Sequence, residues 1–155
     1  MHPQYNGNAG GYPNDIGLLR LSSALAFNSH VTNITIDEDP NMSWEGESCT
    51  LSGWGRLSGS GSSANILKKV TMKKISNTEC ASRWASVGGA NINDGHICFY
   101  EPPKSACSGD SGGPVRCKGV LTGVTSWGVS TCSGSFPSVY TRLSNYASWM
   151  RQNSW

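Results

Sequence analysis

Short apolar segments, separated by turns rich in glycine and serine, recur along most of this 155-residue chain. They cover residues 49–54, 66–72, 96–99, 113–117, 120–127 and 138–142. Segments of this length, bounded by such turns, are typical of the strands of a β-barrel or a β-sandwich. The pattern therefore predicts an all-β fold for the greater part of the chain.

Two more strands are predicted upstream of this region. Residues 16–21 form a short apolar run, and residues 31–36 alternate β-branched with polar side chains. An acidic, proline-containing break follows at residues 37–41, and we place the boundary between two structural units there. The break lacks the glycine and the terminal glutamate of an EF-hand loop, so a solvated loop is favoured over a calcium site.

The end of the chain carries the one helical pattern. Leu143, Tyr146, Trp149 and Met150 are spaced so that they share one face of a helix. This apolar stripe predicts a C-terminal helix that packs on the β-structure.

Composition and charge narrow the class of protein. No apolar run approaches the ~18 residues that are needed to cross a bilayer. The formal net charge is +2, with lysine and arginine scattered along the chain, which does not indicate nucleic acid as a partner. These observations favour a glycine-rich globular protein with neither a membrane nor a nucleic-acid partner.

The six cysteines, at positions 49, 80, 98, 107, 117 and 132, include no Cys-x-x-Cys pair. Metal sites usually contain such close pairs, so disulfides formed in an oxidising compartment are the favoured interpretation. We therefore expect a secreted, extracellular protein, although the cysteine count alone leaves the pairing open. The first residues contain no signal peptide, and we expect that the beginning of the protein is missing.

Two segments carry residue types that are suited to acyl transfer. In residues 107–114, glycines on both sides of Ser111 let the backbone approach a substrate closely. In residues 14–21, Asp15 enters an apolar strand, where its carboxylate needs a partner such as an imidazole. Taken singly, the first segment is also typical of an ordinary turn, and the second of an Asx turn or a strand-start cap.

Together with three other motifs, these segments form a recognisable series. In chain order the five are Asn14-Asp15-Ile16, Ser52-Gly53-Trp54-Gly55, Gly109-Asp110-Ser111-Gly112-Gly113-Pro114, Ser126-Trp127-Gly128 and Pro137-Ser138-Val139-Tyr140. Along nearly its whole length the chain resembles the chymotrypsin-like (trypsin-like) serine endopeptidases, peptidase family S1, in which the histidine precedes the Asp and the Ser. The resemblance implies a double β-barrel of Greek-key type within one peptidase domain. Residues 1–36 would supply the last strands of the first barrel, and residues 37–155 a complete second barrel with the C-terminal helix.

The resemblance also implies catalytic roles. Ser111 would be the nucleophile of a serine endopeptidase that works through an acyl-enzyme, and Asp15 would orient the histidine. The backbone N–H groups of Gly109 and Ser111 would form the oxyanion hole. Asp110 would receive the N-terminal ammonium that zymogen cleavage releases.

Substrate selection is implied by the same resemblance. Ser105, six positions before the nucleophile, would form the base of the primary pocket, where it supplies no charge for a substrate Lys or Arg. Ser126, Trp127 and Gly128 would bind the substrate backbone as an added strand. Gly128 would leave one pocket wall open, whereas Ser138 would narrow the pocket. We expect a chymotrypsin-like preference for apolar or aromatic residues before the scissile bond, with an elastase-like preference for small residues as the alternative.

Further family features concern covalent structure and partners. The implied disulfides are Cys49–Cys117, Cys80–Cys98 and Cys107–Cys132. No metal and no organic cofactor is implied, and the partners would be protein or peptide substrates and protein inhibitors of proteases. Asn33 and Asn41 begin sequons, which makes each a candidate for N-glycosylation.

The chain departs from the family pattern at its histidines. His2, His30 and His96 all lie outside the Ala-Ala-His-Cys setting that the family uses, so each is interpreted as a surface or packing residue. The Ile-Val-Gly-Gly activation terminus is absent as well. We therefore expect an N-terminal half of the same protein to supply the histidine, and this chain to be inactive alone.

Two other classes of protein remain as alternatives. One is a non-catalytic serine protease homologue that acts as a secreted binding or regulatory protein; the intact Ser111 and Asp15 argue against it. The other is a free-standing β-barrel binding module, which would present an exposed half-cleft.

Overall fold

In a computed structural model, which describes residues 1–154, six strands form one closed barrel. The strands are β1 (Ser48–Gly53), β2 (Lys68–Ile75), β3 (His96–Tyr100), β4 (Pro114–Cys117), β5 (Val120–Trp127) and β6 (Ser138–Arg142). Around the barrel they follow the order β1-β2-β3-β6-β5-β4, and all neighbours are antiparallel. The predicted all-β architecture is therefore confirmed.

Inward-facing apolar side chains fill the barrel. Leu51, Met72 and Val115 are each at most 3% exposed, and the rings of Phe99 and Tyr140 meet edge to face with their centroids 5.0 Å apart. Alternate residues of a strand point to opposite faces, and every strand except β5 contributes one or two buried side chains to this core. The barrel closes around a packed interior.

The chain ends in a short 3₁₀ helix (Leu143–Tyr146) that leads into an α-helix (Ala147–Asn153). Leu143, Tyr146 and Met150 are buried in one cluster with Ile16, as the apolar stripe in the sequence indicates. The predicted C-terminal helix is confirmed, and it anchors the beginning of the chain against the barrel.

A second helix, α1 (Asn77–Trp84), contradicts the prediction that only the end of the chain is helical. Ser76 caps α1, because its hydroxyl accepts a hydrogen bond of 3.0 Å from the N–H of Glu79. The helix buries Cys80 and Trp84 against the barrel. Its other side chains are mostly polar, and for this reason the hydrophobic pattern did not indicate a helix.

The two strands predicted upstream do not form within the described residues, and their place in a first barrel stays a prediction. Residues 16–21 form no strand, and from residues 31–36 only Ile36 makes an isolated bridge, to Leu121. A strand exists only where a neighbouring strand completes its hydrogen bonds. Within residues 1–154 no strand runs along residues 16–21, and β5 meets the second segment only at its end, through Leu121. Most of their apolar side chains are consequently left exposed, and Leu19 is 93% exposed, although Ile16 is buried in the cluster with Leu143.

The acidic break is also less solvated than predicted. Asp37 is only 5% exposed, and its carboxylate accepts a hydrogen bond of 2.8 Å from Nε1 of Trp44. A buried carboxylate needs such a donor. Asp37 therefore fixes the start of the barrel unit, while its neighbours Glu38 and Asp39 are exposed.

Three disulfides link the elements. Cys49–Cys117 joins β1 to β4, and Cys80–Cys98 joins α1 to β3. Cys107–Cys132 joins the segment before β4 to the loop after β5. These are the same three pairs that the family resemblance implies.

Candidate active site

Ser111 lies on the turn that leads into β4, and it is exposed. Two backbone hydrogen bonds tie this turn to β5: the N–H of Gly112 donates to the carbonyl of Thr125, and the N–H of Thr125 donates to the carbonyl of Gly113, both at 2.9 Å. Gly112 has a φ of +78°, a conformation that other residues adopt only with strain. The turn therefore holds the Ser111 hydroxyl at the surface on a fixed backbone.

Asp15 is held by the same side of the barrel. Its Oδ2 accepts a hydrogen bond of 2.6 Å from Oγ of Ser126, in β5. Its carbonyl oxygen accepts another of 2.6 Å from Oγ1 of Thr141, in β6. Sequence reasoning assigned Ser126 only to substrate binding, and a polar residue near the end of an apolar strand was the only signal of this second contact.

Consecutive residues of β5 thus connect the two predicted catalytic residues. Thr125 bonds to the turn that carries Ser111, and Ser126 bonds to the carboxylate of Asp15. Ser111 and Asp15 are 96 positions apart in the sequence. The fold brings both to the same end of one strand.

Two backbone donors adjoin Ser111. Among the described residues, the N–H groups of Gly109 and Ser111 donate no hydrogen bond, and both residues are exposed. Gly109 has a φ of +99°, which glycine adopts without steric cost. Unpaired N–H groups beside a hydroxyl are the donors that a developing oxyanion requires.

The Asp110 carboxylate faces away from this surface. Its Oδ1 accepts from the N–H of Gly55 at 2.9 Å, and its Oδ2 accepts from the N–H of Cys107 at 3.0 Å. The carboxylate lines a cavity together with Gly53 and Lys69. A Cβ on Gly53 would lie 2.1 Å from Oδ1, so glycine is required for the carboxylate to reach this position.

A separate cavity opens beside Ser111. Ser126, Trp127 and Gly128 line it together with the Cys107–Cys132 disulfide. The fold therefore brings the predicted nucleophile and the predicted backbone-binding strand to one cavity.

Ser105 and Ser138 do not line that cavity but lie directly behind Ala106, which does. Oγ of Ser138 accepts a hydrogen bond of 3.1 Å from the N–H of Ala106 and lies 3.3 Å from Oγ of Ser105. Oγ of Ser105 donates to the Ala106 carbonyl at 2.7 Å. Ser138 is only 2% exposed, so its hydroxyl is used within the protein rather than in the cavity.

None of the three histidines hydrogen-bonds Ser111 or Asp15 in residues 1–154. His2 packs against the rings of Tyr146 and Trp149, and His30 is exposed. His96 is 2% exposed, and its burial lowers its pKa below the usual 6.5. The surface or packing interpretation therefore fits all three.

The two candidate N-glycosylation sites lie at the surface. Asn33 and Asn41 are both exposed. Within the described chain, no group of three or more potential ligands is placed to hold a metal ion, and no helix is long and apolar enough to span a bilayer.

Comparison with known proteins defines the family. The family model described as Trypsin matches residues 1–150. The chain is 46% identical to the chymotrypsin-like serine proteinase of Haliotis rufescens, over 97% of this chain and 59% of that protein. It is 38% identical to the trypsin of Sus scrofa, over 97% of this chain and 63% of that protein.

Among solved structures, neuropsin, a serine protease expressed in the limbic system of mouse brain, superimposes with a TM-score of 0.87. It is 32% identical, and the match covers 97% of this chain and 67% of neuropsin. The chain therefore belongs to the trypsin family of serine proteases. It spans 59% and 63% of the two relatives named above.

Proposed function

We propose that this chain carries the nucleophile and the orienting carboxylate of a secreted serine endopeptidase. The observation that carries the proposal is the connection of Ser111 and Asp15 through adjacent residues of β5. An N-terminal half of the same protein would supply the histidine and complete the first barrel, of which residues 1–36 form the last part. Residues 37–155 would form the second barrel unit; residue 155 lies outside the described structure.

The proposed chemistry is acyl transfer. Oγ of Ser111 attacks the carbonyl carbon of the scissile peptide while the histidine accepts its proton. The N–H groups of Gly109 and Ser111 stabilise the resulting oxyanion. The C–N bond then breaks, the amine leaves with the proton from the histidine, and water hydrolyses the acyl-enzyme by the same steps in reverse.

Asp110 has a proposed role in activation. Its carboxylate lines a cavity and is held by two backbone N–H groups rather than by a cationic side chain. An ammonium that entered the cavity would form a charge-assisted hydrogen bond with it. Because Asp110 lies between Gly109 and Ser111, this contact would fix the oxyanion-hole donors.

The proposed specificity is for apolar or aromatic side chains before the scissile bond. Ser105 and Ser138 offer hydroxyl groups that are already hydrogen-bonded to Ala106 or to each other. A buried Lys or Arg side chain would meet no carboxylate there, and an unpaired buried charge costs several kcal/mol. Because the Ser138 hydroxyl is withdrawn from the cavity, the chymotrypsin-like preference is favoured over the elastase-like one.

The test uses the full-length protein, secreted from an oxidising host and activated by limited proteolysis. We expect hydrolysis of peptide amides, with kcat/KM higher for Phe and Leu than for Arg and Lys at the position before the cut. Ser111→Ala and Asp15→Asn should each lower kcat by about 10⁴-fold or more. Asn77→Ala, which alters a side chain bonded only to the carbonyls of Asn93 and His96, serves as the matched control and should remain active.

Three outcomes would contradict the proposal. Turnover that persists in Ser111→Ala would exclude this nucleophile. An activated full-length protein that binds peptides but never cleaves them would establish the non-catalytic homologue instead. Activity of residues 1–155 expressed alone would show that no upstream histidine is required.

A further inference from the structure

His96 is a buried imidazole to which the proposed chemistry gives no task. It begins β3, and its Nδ1 accepts a hydrogen bond of 3.1 Å from the N–H of Asn93. Nδ1 therefore carries no proton, and the neutral ring must carry its proton on Nε2.

The carbonyl oxygen of Gly11 holds one wall of the candidate substrate cavity. It accepts a hydrogen bond of 3.1 Å from Nε1 of Trp127, whose ring meets the His96 ring edge-on at 6.1 Å. Trp127 lines the cavity beside Ser111. The titratable His96 ring thus packs directly against a residue in the proposed substrate-binding strand.

The backbone around this carbonyl has little room to adjust. Gly11 has a φ of +77°, and a Cβ at this position would lie 2.0 Å from the carbonyl oxygen of Asn91. Gly10 is equally confined, because a Cβ there would lie 2.5 Å from the carbonyl oxygen of Gly89. If the His96 ring moves, the backbone at Gly10 and Gly11 has little room to move with it, and the displacement therefore falls mainly on Trp127.

The charged and titratable groups around the ring are few. Asp15, in the N-terminal segment, favours the protonated ring through space, and burial opposes it more strongly. Tyr146, in the 3₁₀ helix, has a pKa that burial raises, so it stays neutral at acid pH. The contacts from α1, β5 and β6 come from the uncharged Asn77, Trp127 and Thr141.

We propose that His96 is a positioning residue whose neutral ring packs edge-on against Trp127 and keeps this wall of the substrate cavity in contact with Gly11, and whose protonation in acid releases that wall. Protonation places an N–H on Nδ1 directly opposite the N–H of Asn93, so that hydrogen bond must break. The ring also becomes a buried cation among apolar neighbours, which favours its displacement. Substrate binding along Trp127 would then weaken while Ser111 is unchanged.

The kinetic test rests on the proposed function and uses the activated full-length enzyme. KM for a peptide long enough to lie along Trp127 should rise about threefold to tenfold between about pH 7.5 and about pH 5, the cost of one lost hydrogen bond. KM for a single-residue ester should stay constant. In His96→Gln, whose amide both donates and accepts without titrating, the dependence for the long peptide should disappear. His30→Gln, at an exposed histidine, is the matched control and should behave as wild type.

A second measurement does not depend on turnover. The indole N–H signal of Trp127, assigned by its loss in Trp127→Phe, is followed by NMR against pH in the full-length protein. We expect it to shift with the same midpoint as the His96 ring, and to stay constant in His96→Gln. An indole signal that does not move while His96 titrates, or a His96 ring that stays neutral down to about pH 4.5, would overturn the inference even in a fully active enzyme. An inactive protein that shows the coupled shift would refute the peptidase proposal alone.

Discussion

Removing two of the disulfides, one at a time, separates the stability of the barrel from the organisation of the candidate site. Cys107–Cys132 borders the cavity beside Ser111. Cys80–Cys98 ties α1 to β3 within the core. We expect the two double Cys→Ala variants of the full-length protein to rank in opposite orders for stability and for activity.

The magnitudes follow from loop length and burial. The bridges span 25 and 18 positions, so the entropy of loop closure gives about 3.5 kcal/mol for Cys107–Cys132 and about 3.2 kcal/mol for Cys80–Cys98. Cys80 and Cys98 are completely buried, and their truncation adds a packing loss of about 1 kcal/mol or more. Cys107 and Cys132 are only partly buried, so little is added there. The Cys80–Cys98 variant should therefore be the less stable one.

Activity should follow the other order. Without Cys107–Cys132, nothing covalent fixes the distance between the two cavity walls, and misplacement of a substrate by about 1 Å costs up to about 100-fold in rate. We expect kcat/KM for a peptide amide to fall by at least about tenfold in that variant. The Cys80–Cys98 variant should stay within about twofold of wild type, because neither of its cysteines lines the cavity.

The assay combines denaturant unfolding with kinetics on active-site-titrated enzyme, well below the melting temperature of either variant. Titration of the acylated fraction removes any loss that is due simply to unfolded protein. If kcat/KM falls in proportion to stability in both variants, the local role of Cys107–Cys132 is refuted. Equal stability of the two variants would instead refute the packing argument.

Two further predictions concern a close contact and a buried ring. Gly55→Ala places a Cβ 2.5 Å from Cγ of Asp110, so the carboxylate must move and activated enzyme should lose most of its kcat, whereas Gly88→Ala, which meets nothing within 4 Å, should be silent in the same assay. For His96, burial lowers the pKa below 6.5, so the unfolded chain binds more protons in the window just below that value, and the free energy of unfolding should decline as the pH falls through it. Denaturant titrations at several pH values should show this decline in wild type and not in His96→Gln.

The barrel strands could be predicted because their periodicity is local. The bounds of β5 and β6 agree with the sequence pattern to the residue, since each strand is a short apolar run between clear turns. Residues 16–21 and 31–36 carry equally good strand patterns but need hydrogen-bond partners that residues 1–154 do not supply. The hydrophobic pattern shows that a segment is suited to a strand, but the strand forms only when a neighbouring strand pairs with it.

Helix α1 was missed although its capping box was present in the sequence. Ser76 and Glu79 have the spacing that marks a helix start, and the hydroxyl of Ser76 does cap the helix. In the candidate site, motif order identified Ser111 and Asp15 as catalytic candidates, and only the structure shows that both are tied to the same end of β5. The inward turn of the Ser138 hydroxyl, by contrast, depends on its contact with the N–H of Ala106, and side-chain torsions of this kind leave no periodic trace in a sequence.

The attachment of Asp15 has a mechanical consequence. Its carboxylate is hydrogen-bonded to β5 and its carbonyl to β6, so both hydrogen bonds come from the barrel that carries Ser111. If the enzyme consists of two barrels, as proposed, Asp15 and Ser111 are both attached to the second barrel. Motion of one barrel relative to the other would then leave the positions of those two residues unchanged relative to each other. It would change only the distance from the histidine of the first barrel to them. A regulator that opens the cleft between the barrels would therefore inhibit the enzyme reversibly. Closure of the cleft would restore the contacts of the histidine, and no other part of the site would have to re-form.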